Sequence, residues 1–200
     1  MTSLEESAFL DAMIRLSLHW GEDQGARGVV AIREFKGYPR KFYDKGVCMN
    51  TAVVRKDSPR AVNPQIKCSQ YVAGVMAWVD LAEKNQMEIL FLGPNFMLAE
   101  GAVSNIFIVK GKTVLTPGLA SGILEGVTRG AVIELAEGQG FDVRESFLTR
   151  HDLYNADECF LTNTSAQIMP VVNVDGRIID NGRPGAVTRQ LMKSFDRIIS

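Results

Sequence analysis

The amino-acid sequence predicts an α+β fold, and three observations predict it. Short β-type runs separated by glycine and proline turns crowd the stretch between residues 47 and 115. Segments with helical periodicity are fewer and fall at residues 69–83, 126–138 and 184–199. A polar, proline-containing stretch from Phe35 to Lys41 interrupts the apolar pattern and marks a boundary. It divides a small first part, residues 1–35, from a connector, 36–46, and a larger second part, 47–200.

In the first part, residues 5–12 read as the end of a helix, Met13 to Trp20 alternates as a strand, and Gly21 to Gly28 reads as a loop before the apolar run Val29 to Ile32. In the second part, Val47 to Val54 reads as a strand and Ser58 to Pro64 as a proline-bracketed loop. Ser69 to Glu83 reads as a helix with Val72, Val75, Met76 and Val79 on one stripe. Met87 to Leu92, Phe96 to Ala99, Ile106 to Lys110 and Thr113 to Leu115 read as short strands of a meander, with Gly111-Lys112 as a hairpin turn. Further strands at 142–148, 158–162 and 168–174 alternate with helices at 126–138, 150–156 and 184–199. So many short strands can curl into a barrel-like sheet flanked by helices.

Composition narrows the classes of function. The chain has 200 residues, 46% of them hydrophobic, enough for one substantial core or two small ones. Its 22 basic and 23 acidic residues leave a net charge of -1 without any block of like charge, which argues against nucleic acid and anionic membrane as partners. Cys48, Cys68 and Cys159 are widely spaced and His19 and His151 lie far apart, so no metal site is expected, and a reducing cytoplasm fits best. No apolar run has the length of a membrane span, and the first residues lack the regions of a signal peptide. Gly111-Lys112-Thr113 lacks the earlier glycine of a phosphate-binding loop, since that position is Ile106.

Three segments carry chemistry, each beside a plainer reading. The glycine-flanked turn Gly122 to Gly126 runs into a helix at Val127-Thr128-Arg129, whose first amides suit a phosphate, or it is an ordinary capped helix start. Glu100 lies at the end of a strand and before a small-residue loop. It is either a buried carboxylate in need of a cationic partner or a turn residue that accepts backbone hydrogen bonds. Lys67 enters a helix with an apolar face, where burial would favour the neutral, nucleophilic amine; lysines there more often lie solvated along apolar surface.

Taken in order, these segments resemble the fold-type IV aminotransferases, the group of branched-chain aminotransferases, D-amino acid aminotransferases and aminodeoxychorismate lyase. Ile66-Lys67 with Tyr71 is similar to the family's Schiff-base segment, and Leu98-Ala99-Glu100-Gly101 with Ser104-Asn105-Ile106-Phe107 to its pyridine-binding loop. Gly122 to Arg129 resembles its phosphate turn, and Ala156-Asp157-Glu158 with Thr162 to Ala166 its last cofactor loop. The similarity runs from about Phe9 to Phe195.

The resemblance implies a pseudo-barrel domain that binds pyridoxal 5'-phosphate, preceded by a remnant of a smaller α/β domain. It implies that Lys67 forms the Schiff base and moves the proton, while Glu100 holds the pyridine nitrogen protonated. It implies that Val127, Thr128 and Thr164 bind the phosphate, that Leu124 packs on the ring, and that Tyr71 bonds its phenolic oxygen. Ser165 and Ala166 would then offer amides to the substrate carboxylate, and Arg15 would face the substrate pocket.

Transamination between a branched-chain amino acid and a 2-oxo acid such as 2-oxoglutarate is the expected reaction, in a homodimer. A D-amino acid aminotransferase or aminodeoxychorismate lyase stands beside it, as does a non-catalytic homologue or binding module. Met13 and Ser104 replace a tyrosine and a glutamate of the branched-chain pattern, and the family's phosphate-gripping arginine has no counterpart here. The chain is expected to begin partway through the first domain.

Overall fold

A computed structural model describes residues 11–21, 25–56, 63–68, 72–82, 87–93 and 95–199. The chain divides into two compact units, Met1–Tyr38 and Pro39–Ser200. In the first, β1 (Ala12–Trp20) and β2 (Ala26–Glu34) form an antiparallel hairpin in which Ile14 faces Ile32 and Leu16 faces Val30. The pairing is longer than the apolar runs suggest, and it starts at Ala26, inside the expected loop. The helix end expected at residues 5–12 falls mostly outside the described residues, and Ala12 is already strand. Because strand side chains alternate, Ile14, Leu16, Leu18 and Trp20 share one face, and each is more than half exposed.

The second unit begins with α1 (Arg40–Lys45), a short helix inside the stretch expected to be a plain connector. It is built on one sheet of nine strands: β3 (Val47–Thr51), β4 (Glu88–Leu92), β5 (Leu98–Gly101), β6 (Asn105–Lys110), β7 (Thr113–Pro117), β8 (Asp142–Ser146), β9 (Glu158–Asn163), β10 (Gln167–Val174) and β11 (Arg177–Ile178). The strand order is β5-β4-β3-β10-β9-β6-β7-β8, with β11 paired to β10. The expectation of a simple meander is therefore corrected. β4–β5 and β6–β7 are antiparallel neighbours as expected, but β5 and β6 are not neighbours, since β3, β10 and β9 lie between β4 and β6; in addition β3 pairs with β4 in parallel and β7 with β8 in parallel. Parallel neighbours need a crossover, supplied by α2 (Val72–Ala82) and α3 (Val127–Gly138). The chain is completed by α4 (Arg150–Tyr154) and α5 (Ala186–Ile199).

Apolar side chains of β6, β7, β9 and β10 meet α3 and α5 in one core, including Phe107, Phe160, Val132, Leu191 and Phe195. Phe107 and Phe160 are register partners on adjacent strands, and their rings stack at 4.9 Å. Thr188, Leu191 and Phe195, spaced three and four apart, are the buried stripe of α5. The start of α5 is fixed by Glu158, which accepts from the amides of Val187 and Thr188 and from the Thr188 hydroxyl at 2.6–2.9 Å. A Cβ at Gly185 would lie 1.9 Å from the Glu158 carboxyl carbon, so that approach requires glycine.

The second helix departs from its expected stripe. Val72, Val75, Met76 and Val79 are all exposed by more than half, and Ala77 is the side buried against Ile89 and Phe91. Small alanines let the helix lie close on the sheet, so its bulky residues turn outward. Phe96 also departs: with φ of 59° it belongs to the Gly93–Met97 turn, and β5 starts two residues later.

Buried Glu88, at the start of β4, closes the corner between β5 and β6. It accepts from the amides of Ile89 (2.9 Å) and Ala102 (3.2 Å) and from the Ser104 hydroxyl (2.9 Å). Burial pushes its carboxyl above the ordinary value of 4.5, against the pull of these donors.

Phe107→Ala is expected to cost about 3–5 kcal/mol in denaturant unfolding, because it removes a stacked ring from the main core. The folded protein binds the Glu88 proton more tightly than the unfolded chain does. Its contribution to stability is therefore fully present below pH 4.5 and is lost as pH rises through the raised value. The melting temperature of the wild type relative to that of Glu88→Gln, which does not titrate at this position, should accordingly fall as pH is raised from below 4.5 towards neutral; a constant difference would contradict a raised carboxyl.

Candidate active site

Glu100 sits in β5 with its side chain only 12% exposed. A carboxylate so placed needs donors, and three elements supply them. The Leu124 amide donates to Oε2 at 2.8 Å, and Asn105 Nδ2, at the start of β6, donates to the same oxygen at 3.3 Å. Lys56 Nζ donates to Oε1 and forms the ion pair. Burial raises the Glu100 pKa, and Lys56, the Leu124 amide and, at longer range, the Lys67 charge oppose it.

The turn from Gly122 to Gly126 is tied down residue by residue. Lys56 Nζ donates to the Gly122 carbonyl (2.7 Å), Gln65 Nε2 to the Ile123 carbonyl (2.9 Å), and Asn105 Nδ2 to the Leu124 carbonyl (2.9 Å). The Glu125 amide donates back to Gln65 Oε1 at 3.1 Å. Gln65 thus clips the segment carrying Lys67 to the turn leading into α3. A Cβ at Gly126 would meet Asn105 Oδ1 at 2.2 Å, so glycine permits the turn to close on β6.

The N-terminus of α3 carries neither a side-chain cap nor an acidic residue in its first turn. Its first amides therefore remain available to an anion of the kind the sequence suggests, such as a phosphate. Val127 is 89% exposed there, and Thr128 and Leu124 are half-buried. Arg129, from the same motif, turns inward instead, donating to the Pro117 carbonyl (3.0 Å) and pairing with Glu145 (2.7 Å).

Lys67 lies in the open stretch before α2 and is exposed, with its charge felt at Glu100. Tyr71 lies outside the described residues. Arg15 is on β1 of the first unit, opposite Ala31 and on the face away from Leu16 and Leu18. Thr164 is exposed and Ser165 half-buried in the turn between β9 and β10. Ala166 is buried; its amide donates to Asn163 Oδ1 (2.6 Å), and its carbonyl accepts from Tyr43 (3.3 Å).

The structure thus gathers Glu100, Leu124 and the start of α3 around one turn, and adds Lys56, Gln65 and the Asn105 side chain, which were given no role in the sequence. Asn105 lies inside the Ser104-Asn105-Ile106-Phe107 motif. Lys56 and Gln65 had no signal beyond their nearness to Lys67. A separate cleft of about 490 Å³, lined among the described residues by Arg55, Arg150, Tyr154 and Arg177, contains none of the candidate residues.

The pieces fit a phosphorylated pyridine. Glu100 is a shielded carboxylate of the kind that would hold a ring cation, and the uncapped amides three residues beyond Leu124 would suit the phosphate. Comparison with known proteins agrees. The profile of the family described as "Amino-transferase class IV" matches residues 5–174. The chain is 39% identical over 160 residues to the putative branched-chain-amino-acid aminotransferase of Methanocaldococcus jannaschii, covering 80% of this chain and 56% of that protein. It is 33% identical over 153 residues to the branched-chain-amino-acid aminotransferase of Escherichia coli, covering 76% and 50%.

The Escherichia coli enzyme's crystal structure superposes with a TM-score of 0.85 at 29% identity, over 90% of this chain and 60% of that one. The branched-chain enzyme of Thermobaculum terrenum, solved in its PLP form, superposes at 0.82 with 32% identity, over 89% and 58%. The chain spans about half the length of the curated relatives it matches. Its mixed sheet, its ordered motifs and these similarities place the chain in the class IV amino-transferase family, whose members use pyridoxal phosphate.

Proposed function

We propose that this chain takes part in transamination between a branched-chain amino acid and a 2-oxo acid such as 2-oxoglutarate, with Lys67 as the cofactor-bearing amine. The observation that carries the reading is the carboxylate of Glu100, shielded from water and held beside the turn that opens α3. Bound pyridoxal phosphate supplies an aldehyde that condenses with amines and a protonated ring that accepts the electron pair freed at the α-carbon.

The chain's own residues do the rest. Glu100 holds a proton on the ring nitrogen. The amides of Val127 and Thr128, the Thr128 hydroxyl and Thr164 hold the phosphate, Leu124 walls the ring, and Tyr71 bonds the phenolic oxygen. Lys67 Nζ takes the proton from the substrate α-carbon and returns it to the other side of the transfer. The Ser165 and Ala166 loop, braced by Asn163, faces the substrate carboxylate.

The similarity to branched-chain-amino-acid aminotransferases supports the branched-chain assignment. Residues 47–200 make the cofactor domain, and residues 1–35 belong to the smaller one. The exposed faces of β1 and α2 are consistent with a homodimer. Among the described residues no helix is long and apolar enough to cross a membrane, and we place the protein in the cytoplasm.

Reduction with borohydride after incubation with pyridoxal phosphate, followed by peptide mapping, should place the label on Lys67. Lys56 lies in the same site, so label there or on any other lysine would overturn the assignment. Glu100→Gln should retain the absorbance of bound cofactor but lower turnover by about a hundredfold or more, and undiminished turnover would remove Glu100 from the chemistry. In a substrate panel L-valine and L-leucine should react in preference to D-alanine and aminodeoxychorismate.

A further inference from the structure

Glu100 has more support than a carboxylate needs merely to fill a turn. Oε2 is held by the Leu124 amide and by Asn105, and Oε1 by Lys56. The Lys56 ammonium is itself fixed at a second point, the Gly122 carbonyl at 2.7 Å, and its side chain is only 26% exposed. Surface ion pairs of long, free side chains do little, but this one is shielded and anchored on the same turn that leads to α3.

Among the described residues, the charged groups acting on Glu100 are Lys56, from the stretch after β3, and Lys67, from the stretch before α2. The turn at Leu124 and the start of β6 offer it neutral donors.

We propose that Lys56 is a positioning residue for the cofactor: from its anchor on Gly122 it keeps the Glu100 carboxylate charged and aimed, so that Glu100 can also receive a ring-borne N–H cation. The ring cation rests on the function proposed above; the hold of Lys56 on Glu100 does not. A carboxylate accepts from several donors at once, and each ammonium has three protons to give, so a second partner on Glu100 is compatible with the first. Without Lys56, burial acts against weaker opposition and Glu100 takes up its proton at higher pH. A protonated Glu100 no longer stabilises a charge on the ring.

The test separates the two parts. In cofactor-free protein labelled with ¹³C-glutamate, the Glu100 carboxyl resonance, assigned by its absence from Glu100→Gln, is followed against pH. Lys56→Met should raise its midpoint by about one pH unit or more, and Lys56→Arg should leave it near the wild-type position. If Lys56→Met does not fold, Lys56→Gln carries the same measurement. An unshifted midpoint in a folded charge-free variant overturns the proposal, as does an arginine variant that titrates like methionine.

Pyridoxal phosphate is then titrated into the same proteins. Affinity at neutral pH should fall about tenfold or more in the charge-free variant and recover with arginine. A shifted midpoint with unchanged affinity overturns the positioning role. Failure of the wild type to bind pyridoxal phosphate instead overturns the proposed function, and the resonance alone then decides whether Lys56 governs Glu100.

Discussion

A single shielded carboxylate organises the candidate site. Glu100 is costly to bury charged, and the structure meets that cost from three directions: the Leu124 amide, the Asn105 side chain and the Lys56 ammonium. Each donor belongs to a different segment, so satisfying one side chain brings together the stretch after β3, the start of β6 and the turn before α3. Asn105 and Gln65 repeat the device on the carbonyls of that turn. The site is thus an outcome of hydrogen-bond satisfaction as much as of apolar packing.

The sheet provides the frame that makes this convergence possible. Glu88 closes the corner after β5 through Ala102 and Ser104, and Gly101 allows it, since a Cβ there would lie 2.1 Å from the Ser104 hydroxyl. On the opposite side Phe107 and Phe160 stack across β6 and β9 under α3 and α5. The strands that carry Glu100 and Asn105 are far apart in sheet order, yet the short connection between them keeps the two side chains within hydrogen-bond reach. Glycine at 126 then lets the helix start come down on Asn105.

Two carboxylates in this region share a cause but differ in company. Burial raises both Glu88 and Glu100. Glu88 is met by neutral donors, a setting for a structural corner, whereas Glu100 faces the charges of two lysines.

By itself the sequence determined the local pieces: a short strand ending near Glu100, the Gly111-Lys112 hairpin turn, the helix that starts after Gly126 and the last helix, because glycine placement and residue periodicity act over a few positions. The order of its motifs was also enough to point to the family. Only the tertiary structure decided that β3 pairs with β4 and β7 with β8 in parallel, that the valines of α2 face outward, and that Lys56 and Gln65 join the site. Strand pairing depends on which edges meet after crossovers, and the stripe a helix buries depends on the surface it meets. A lysine becomes part of a site only when a carboxylate 44 residues away in the chain is folded against it.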